Sequence, residues 1–432
     1  MKVIKIKTIK NYFLYFFILL CLIILSCTNK IPNKQTELQY MFWGMPEHQK
    51  MLRGIVNKFE SLNPDIKVTL LNVPDAWTAY HQKLQTMIAA GTPPDIMYVG
   101  EWHFADFAEK DVLLNLESYI EQDKEFKKNV YNDIYPKLLE TLKYKGKLFG
   151  LPRGWTPFVI YYNKKLFDEN KIPYPDETWD WQTFLNASRK LTVDTNKDGI
   201  IDQFGCLVGS TWLYFTVWQN NGEIIDVGKN KCLLDSKNSI SAIQWCSDLI
   251  YKYKVSPTPG QVLQQDPYQM FMTGRVAMVV MGYWGIQTFN KIKTFEWDVA
   301  PLPKGKQRAT LIFTGCLAIP KTGKHINESI RLLKYLVSKE SISVVVKEGD
   351  NLPILKSLAN SDVFLAPGQR PQNKSVFIKS IEYGKFWPSI PQWPEILAII
   401  DREIDFTVLN DKKSVENACE TATDKINKIL KK

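Results

Sequence analysis

Histidine is scarce in this chain of 432 residues, which contains only four, and none of its seven cysteines forms a CxxC pair. The sequence also has no HExxH or similar metal-ligand spacing and no GxSxG element. These absences argue against a histidine-centred mechanism, a zinc site and a serine hydrolase. Five cysteines, an odd number, follow residue 27. We therefore expect mostly buried free thiols instead of a disulfide framework.

Basic charge is modest and dispersed. The formal net charge is +10, from 55 Lys and Arg against 45 Asp and Glu. Four of the lysines, Lys2, Lys5, Lys7 and Lys10, lie at the start of the chain, and after them no basic run is longer than a pair. This pattern gives no argument for a nucleic-acid partner.

The apolar run from Tyr12 to Leu25 is shorter than the ~20 residues that a membrane-spanning helix needs. It follows the basic start and ends in Ile24-Leu25-Ser26-Cys27, which resembles the lipobox of bacterial lipoproteins. We predict that residues 1–27 are a lipoprotein signal with Cys27 as the lipidated N-terminus, and that residues 28–37 are a tether. The mature chain would be anchored outside the cytoplasm at the cell membrane. The alternative is an uncleaved anchor helix.

Residues 38–99 alternate between extended apolar segments and segments with apolar residues at helical spacing. The order strand, helix, strand, helix, strand predicts a mainly parallel sheet with helices on both faces. In such sheets ligands bind beyond the carboxyl ends of the strands. The loops that hold Trp43, Glu47, Glu101, Trp102 and His103 are therefore candidates for a binding site.

The segment Tyr144–Phe167 predicts a turn at Lys145-Gly146, a short extended piece and a strand from Val159 to Tyr162. We interpret Arg153–Pro157, between the two extended pieces, as an irregular hinge that also forms a binding wall. The length of the chain favours two domains. A second set of elements follows, in which Phe204–Val208 is a predicted strand and Gly282-Tyr283-Trp284-Gly285 turns at the end of another strand.

Five segments together carry a family resemblance: MFWGMPEHQKMLRGIVNKFESLNPDIKV, KLQTMIAAGTPPDIMYV, GKLFGLPRGWTPFVIYYNKKLFDENKIPYPDETWDWQTFLNASRKLT, FMTGRVAMVVMGYWG and GCLAIPKTGKHINESIRLLKYLVS. In this order they resemble the extracellular solute-binding proteins of carbohydrate ABC transporters, the maltose-binding type. The resemblance implies two Rossmann-like α/β lobes joined by hinge crossings, the type II periplasmic binding protein fold. It also implies a monomer that delivers sugar to membrane permease subunits and requires no cofactor. We expect lobe I at 38–151 and 299–340, and lobe II at 152–298 and 341–432.

Thirteen tryptophans are the chemical clue to the ligand. Sugars stack their C–H faces on aromatic rings and pair their hydroxyls with planar polar side chains. The predicted ligand-binding residues are Trp43, Glu47, Glu101, Trp102, Arg153, Trp155, Trp212, Tyr283, Trp284 and Trp393. Trp179, Trp181, Trp245 and Trp297 are assigned to the core. Where the maltose-type pattern implies an acidic residue beside the hinge, this chain has Thr156.

Two other functions are compatible with an exported chain that is rich in tryptophan. A glycoside hydrolase needs two carboxylates at a fixed separation, and no pair in this sequence is dedicated to that role. An exported receptor or adhesin could bind sugar without a transporter. Sugar capture without catalysis is therefore the prediction, with these two as alternatives.

A separate motif spans residues 194–202, where Asp194, Asn196, Asp198 and Asp202 alternate with other residues and Gly199 stands sixth. Together with the carbonyl of Ile200, this spacing is typical of a Ca²⁺ loop. The glutamate expected at the twelfth position is replaced by Gly205. The loop predicts a structural Ca²⁺ site, and a polar turn that binds no ion is the alternative.

Overall fold

The computed structural model describes residues 35–74, 79–405, 408 and 410–431. The predicted signal with Cys27, and residues 28–34 of the predicted tether, lie outside these described residues. Among the helices of the described part, none combines the length and apolar character that a membrane crossing requires.

The first sheet has the strand order β13-β12-β3-β1-β2, with β6 also paired to β12. Its strands are β1 (Thr36–Phe42), β2 (Ile66–Asn72), β3 (Ile96–Gly100), β6 (Leu151–Pro157), β12 (Thr310–Ala318) and β13 (Gly384–Lys385). β1 is parallel to both β2 and β3, whereas β12 is antiparallel to β3 and β6. The predicted βαβαβ unit of residues 38–99 is confirmed.

The second sheet has the order β10-β7-β11, formed by β7 (Val159–Asn163), β10 (Met278–Met281) and β11 (Trp297–Ala300). Alternate residues of β7 point to opposite faces. Val159 and Tyr161 therefore join the core that extends from the first sheet, while Ile160 and Tyr162 join a second core. Two short hairpins complete the strands: β4 (Lys143–Tyr144) with β5 (Lys147–Leu148), and β8 (Ile225–Asp226) with β9 (Lys231–Cys232).

Helices cover both sheets. In chain order they are α1 (Pro46–Leu62), α2 (Ala79–Ala89), α3 (Glu101–Glu109), α4 (Glu117–Gln122), α5 (Lys124–Asn129), α6 (Pro136–Glu140), α7 (Lys164–Glu169), α8 (Trp181–Lys190), α9 (Trp212–Gln219), α10 (Lys237–Tyr251), α11 (Pro259–Gln264), α12 (Pro267–Met272), α13 (Gly285–Phe289), α14 (Ile326–Leu336), α15 (Lys339–Lys347), α16 (Lys356–Ala359), α17 (Asp362–Leu365), α18 (Ser375–Tyr383), α19 (Trp393–Ile400) and α20 (Val415–Leu430). A π-helical turn, Asp401–Asp405, follows α19 directly.

Local sequence explains where several helices begin. Helix α1 has Pro46 in its first turn and ends at Asn63, before Pro64. Helix α8 begins where the Asp180 side chain accepts a hydrogen bond from the backbone N–H of Thr183. Helices such as α1 and α8 bury an apolar stripe, as the spacing of their apolar residues predicts, whereas α11 has no buried residue.

The two lobes are joined where β6 runs into β7, because Phe158 alone separates a strand of the first sheet from a strand of the second. The antiparallel strand β12 runs back beside β6. The predicted lobe boundary at 151/152 falls at the start of β6, and the one at 298/299 falls within β11. The predicted second-lobe segment 341–432 is divided between the lobes. Its first part belongs to α15, which packs on α1 of the first lobe, whereas its last helix, α20, packs on α10 of the second lobe.

Two local predictions are wrong. The segment Arg153–Pro157 is not an irregular piece, since it forms most of strand β6. The one irregularity in its pairing with β12 is at Arg153, which is skipped by a register shift between Gly154, opposite Gly315, and Pro152, opposite Cys316. The segment 204–208 is not a continuous strand, because only Phe204 and Leu207 form isolated bridges, to Val276 and Val279. In both cases pairing across the fold decides the local structure.

The cysteine prediction is confirmed, because the five cysteines of the described part are free and buried: Cys206, Cys232, Cys246, Cys316 and Cys419. Two of the tryptophans assigned to the core, Trp179 and Trp297, are fully buried. The other two, Trp181 and Trp245, are partly buried and stack on each other with ring centroids 4.3 Å apart.

Candidate functional site

A cleft of about 360 Å³ lies between the two lobes, beyond the ends of β1, β3 and β10. Side chains from both sheets and from the crossing strands form its walls. They are Trp43, Gly44, Met45, His48, Tyr98, Trp102, Arg153, Gly154, Trp155, Thr156, Trp284, Gln287, Phe313, Thr314, Asp350 and Asn351. The cleft is therefore rich in aromatic rings with a small number of polar groups, the composition expected of a small-molecule site.

The same turn brings a tryptophan to the cleft in each lobe. Gly100 ends β3 and Trp102 follows in α3, while Gly282 follows β10 and Trp284 precedes α13. In both turns the indole ring folds back over the glycine, where a Cβ atom would clash with it. Only glycine permits such a close approach at these two positions.

The turn that carries Trp284 is fixed from two sides. The backbone N–H of Tyr283 donates to Thr156 Oγ1 at 2.6 Å, and the Tyr161 hydroxyl donates to the Gly282 carbonyl at 2.8 Å. Thr156 belongs to the crossing strand β6, so the hinge region itself holds the turn. Trp284 remains 37% exposed, edge to face with Phe158 and parallel to the ring of Phe313. Its indole face is available to a ligand.

A buried polar cluster forms another part of the wall. His48 Nδ1 lies 2.5 Å from Asp350 Oδ1, and an Arg153 guanidinium nitrogen lies 2.7 Å from His48 Nε2 and 3.1 Å from Asp350 Oδ2. Burial, and then the Arg153 charge, lower the pKa of His48. A neutral imidazole with its proton on Nδ1 satisfies both contacts, donating to Asp350 and accepting from Arg153.

Asp350 is held ionised in this cluster. Burial acts to raise the pKa of Asp350, but the Arg153 charge and the His48 hydrogen bond outweigh burial and lower that pKa to about 2. The guanidinium of Arg153 also stacks over the ring of Tyr98, 5.2 Å from its centroid. The cluster therefore presents a fixed carboxylate and guanidinium at the cleft wall, and such groups orient hydroxyl-bearing ligands.

Glu101 lies behind the cleft wall and is buried. Its Oε2 atom accepts a hydrogen bond from the backbone N–H of Thr314 at 3.1 Å, and its Oε1 atom has no hydrogen-bond partner in the described part of the chain. Burial raises the pKa of Glu101 to about 8. At neutral pH the side chain is therefore mostly a protonated acid.

Five of the ten predicted ligand-binding residues line the cleft, and the other five lie elsewhere. Those in the cleft are Trp43, Trp102, Arg153, Trp155 and Trp284. Glu101 and Tyr283 are buried beside it, Glu47 is exposed on α1, and Trp212 and Trp393 are buried in the second core. Trp155 is itself only 1% exposed, and its indole N–H donates to the Pro353 carbonyl.

Several cleft residues were not anticipated from the sequence. They are His48, Tyr98, Gln287, Phe313, Thr314, Asp350 and Asn351. Phe313 lies on the crossing strand β12, and Asp350 follows α15. A search for polar residues directly after helices that return to the first lobe could have found Asp350, whereas nothing local marks Phe313.

The predicted Ca²⁺ loop is a tight polar turn in which the backbone hydrogen-bonds to the side chains. Asp194 accepts from the N–H groups of Lys197 and Gly199, and Asp202 accepts from Thr195 and Asn196. Within the described residues, no group of three or more His, Cys, Asp or Glu side chains is arranged to hold a metal ion. Binding of Ca²⁺ by this loop stays a prediction, which thermal melts with Ca²⁺ and with a chelator would test.

Residues 45–342 match the family model described as bacterial extracellular solute-binding protein. This chain belongs to that family. A solved structure of an ABC substrate-binding protein from Listeria monocytogenes, in complex with cycloalternan, is similar to this solute-binding protein with a TM-score of 0.83. The two are 29% identical, and the match covers 92% of this chain and 99% of the other.

Two further proteins are similar at lower identity. The galactooligosaccharide-binding protein of Bacillus subtilis is 22% identical over 414 residues, covering 93% of this chain and 92% of the relative. A maltose-bound structure from T. maritima has a TM-score of 0.77 at 20% identity, covering 91% of this chain and all of the other, and this shows the fold alone. The predicted fold, two α/β lobes of the type II periplasmic binding protein class, is confirmed.

Proposed function

We propose that this solute-binding protein captures a sugar or oligosaccharide in the interlobe cleft and delivers it to the permease of an ABC transporter. The exposed Trp284, which lines the same cleft as the guanidinium and carboxylate of the Arg153 and Asp350 pair, is the observation that carries the proposal. Aromatic faces stack on sugar rings, while charged planar groups pair with hydroxyls. The sugar-binding names of the relatives support the same ligand class.

Capture without catalysis fits the carboxylates of the cleft. Among the described lining residues, Asp350 is the one carboxylate, and Arg153 and His48 already engage it. A glycoside hydrolase needs a second carboxylate, as a raised-pKa acid or a nucleophile, across the scissile bond. Glu101 has a raised pKa, but it lies behind the wall and not among the lining residues.

The test is a titration with a panel of malto-, galacto-, xylo- and amino-oligosaccharides, using the soluble form without residues 1–27. We expect one class to quench tryptophan fluorescence saturably while an assay for new reducing ends stays at background. Turnover would establish an enzyme instead. Binding that persists in a strain lacking the matching permease, with no loss of uptake, would favour a receptor or adhesin.

We also infer that the protein acts as a monomer tethered outside the cytoplasm through lipid on Cys27. The support is the small residue followed by Cys27 after a short apolar run, together with membership of an extracellular family. Labelling with radioactive palmitate should mark the wild-type protein and be lost in Cys27→Ser. Label retained in that variant would place the lipid elsewhere.

A further inference from the structure

A second compartment, of about 510 Å³, adjoins the cleft. Phe313 lines both spaces, so its ring lies where the two meet. Beyond Phe313 the compartment is lined by Trp387, Tyr214, Asp401 and Asp405, among others. The ring of Trp387 lies 4.8 Å from that of Phe313 and is tilted by 54° from it, and the two form an apolar wall against which a ring of the ligand can pack.

Two carboxylates face this compartment from the π-helical turn Asp401–Asp405. Four residues apart in such a turn, they lie on one side, and single π turns are frequent at functional sites. Asp401 is exposed and Asp405 is half-buried, so a ligand can reach both. Burial raises the pKa of each carboxyl, and the Asp401 charge raises that of Asp405 further.

The basic side chains near this turn are engaged by a different acid. Glu403, between the two aspartates, forms ion pairs with Arg402, Lys413 and Lys425. In the described part of the chain, neither Asp401 nor Asp405 has an ion pair with Lys, Arg or His. Within the described residues, these three basic side chains therefore compensate the charge of Glu403, and none of them pairs with Asp401 or Asp405.

Tyr214 supplies an independent sign of a missing partner. The residue is only 2% exposed and lines the compartment, and its hydroxyl has no hydrogen-bond partner among the described residues. Buried hydroxyls are normally paired, because an unpaired one costs about 1–3 kcal/mol. A ligand group in the compartment would provide that partner.

We propose that this compartment is a subsite for a protonated amino group of the ligand, on an amino-sugar unit whose ring packs against Phe313 and whose ammonium pairs with Asp401 and Asp405. An ammonium has three donors, and its positive charge lowers the pKa of both carboxyls, so that its binding favours their ionised forms in the compartment. A hard metal ion fits less well, because the described residues contain no group of three or more acidic, imidazole or thiolate side chains arranged to hold one. This inference rests on the proposed function and adds an amino-sugar oligosaccharide as the substrate class.

The experiment uses isothermal titration calorimetry at pH 6 with three monosaccharide probes, glucosamine, N-acetylglucosamine and glucose. The last two are neutral controls. Glucose matches the size of glucosamine with a hydroxyl in place of the ammonium, and N-acetylglucosamine keeps the nitrogen as an uncharged amide. We expect glucosamine to bind at least tenfold more tightly than either control. In the variant with both Asp401→Asn and Asp405→Asn, the affinities for the three probes should differ by no more than threefold. The single substitution Asp401→Asn, at an exposed position where folding is not at risk, should reduce the preference for glucosamine partway.

Equal affinities for the three probes in the wild type would overturn the inference. So would a preference for glucosamine that survives the double substitution in a protein whose circular dichroism melt is unchanged. A loss of affinity for neutral oligosaccharides in the same variant would make the compartment a site for hydroxyls and also overturn it. None of these results removes the Trp284-dependent fluorescence quench, so failure of this inference is distinguishable from failure of the proposed function.

Discussion

The two lobes contribute the same turn to the cleft but use its tryptophan differently. In Gly100-Glu101-Trp102 and in Gly282-Tyr283-Trp284 the indole folds back over the glycine. Trp102 is 7% exposed, whereas Trp284 is 37% exposed. The same Gly-x-Trp turn therefore places a packed tryptophan in the wall of the first lobe and a solvent-exposed tryptophan in the second.

The neighbours explain the difference. Trp102 contacts Trp43, His81 and Trp387, so aromatic rings surround it. Trp284 contacts Phe158 and Phe313 on the side of the crossing strands and also interacts with Tyr268 of α12. The middle residues differ as well, because the Glu101 side chain accepts a hydrogen bond from the backbone N–H of Thr314, whereas the backbone N–H of Tyr283 donates to the side-chain hydroxyl of Thr156. Exposure follows from tertiary packing and not from the local motif.

The largest effect expected from this comparison is on stability. Trp102→Ala removes a nearly buried indole and leaves a cavity, so the free energy of unfolding should fall by about 3–5 kcal/mol. Trp284→Ala is the matched control and should lower it by less than about 1 kcal/mol, since its ring is already partly in water. Urea unfolding of both variants measures this. Equal losses would mean that the two turns are packed alike.

The second effect concerns the middle residue of the first turn. Glu101 has a folded-state pKa of about 8, above its ordinary value of 4.5. A raised carboxyl pKa stabilises the folded state most below the unfolded pKa, and this contribution is lost as pH rises toward the folded pKa. Wild-type stability should therefore fall relative to Glu101→Gln by roughly 3 kcal/mol between pH 5 and pH 7.5, at ~1.36 kcal/mol per unit.

Unfolding free energies of the wild type and Glu101→Gln at these two pH values isolate this group, because all other titrating groups are common to both proteins. A constant difference between the two proteins would show that Glu101 ionises normally. The corresponding position in the second turn, Tyr283, carries no such dependence in this pH range, because burial raises its phenol pKa.

The smallest effect is expected at the hydrogen bond that holds the second turn. Thr156→Val leaves the buried N–H of Tyr283 without its acceptor, which costs about 1–3 kcal/mol, and it loosens Trp284. Sugar affinity should fall about three- to fivefold. Thr156→Ser keeps the hydroxyl and should retain wild-type affinity in the same titration. Similar affinities for the valine and serine variants would show that the hydrogen bond does not position Trp284.

Local periodicity was sufficient for much of the fold. The helical spacing of apolar residues in α1 and the extended apolar segments of β1 to β3 predict these elements correctly from local sequence. The glycines that flank Trp284 predict a turn at the end of a strand. The cleft tryptophans Trp43, Trp102 and Trp284 could be found because they follow strands of the two sheets.

Long-range contacts account for what the sequence did not predict. Strand β6 could not be predicted locally, because it contains Pro152, Gly154 and Pro157, which disfavour a strand. Its partner β12 lies far along the chain, and the Thr314 hydroxyl donates to the Gly154 carbonyl 160 residues away. Trp212 and Trp393 have the composition of a sugar site, yet they pack in the second core. Phe313 and Asp350 line the cleft because of the course that the crossing segments take through the fold, which local sequence does not indicate.

The most direct test of sugar capture at Trp284 is a fluorescence titration of the wild type, Trp284→Ala and Trp284→Phe with the sugar of the panel that binds most tightly. A stacking ring contributes about 0.5–1.5 kcal/mol beyond its buried area. Trp284→Ala should therefore bind about tenfold more weakly or worse, with Trp284→Phe in between and all three proteins equally folded. Unchanged affinity in Trp284→Ala would contradict the account.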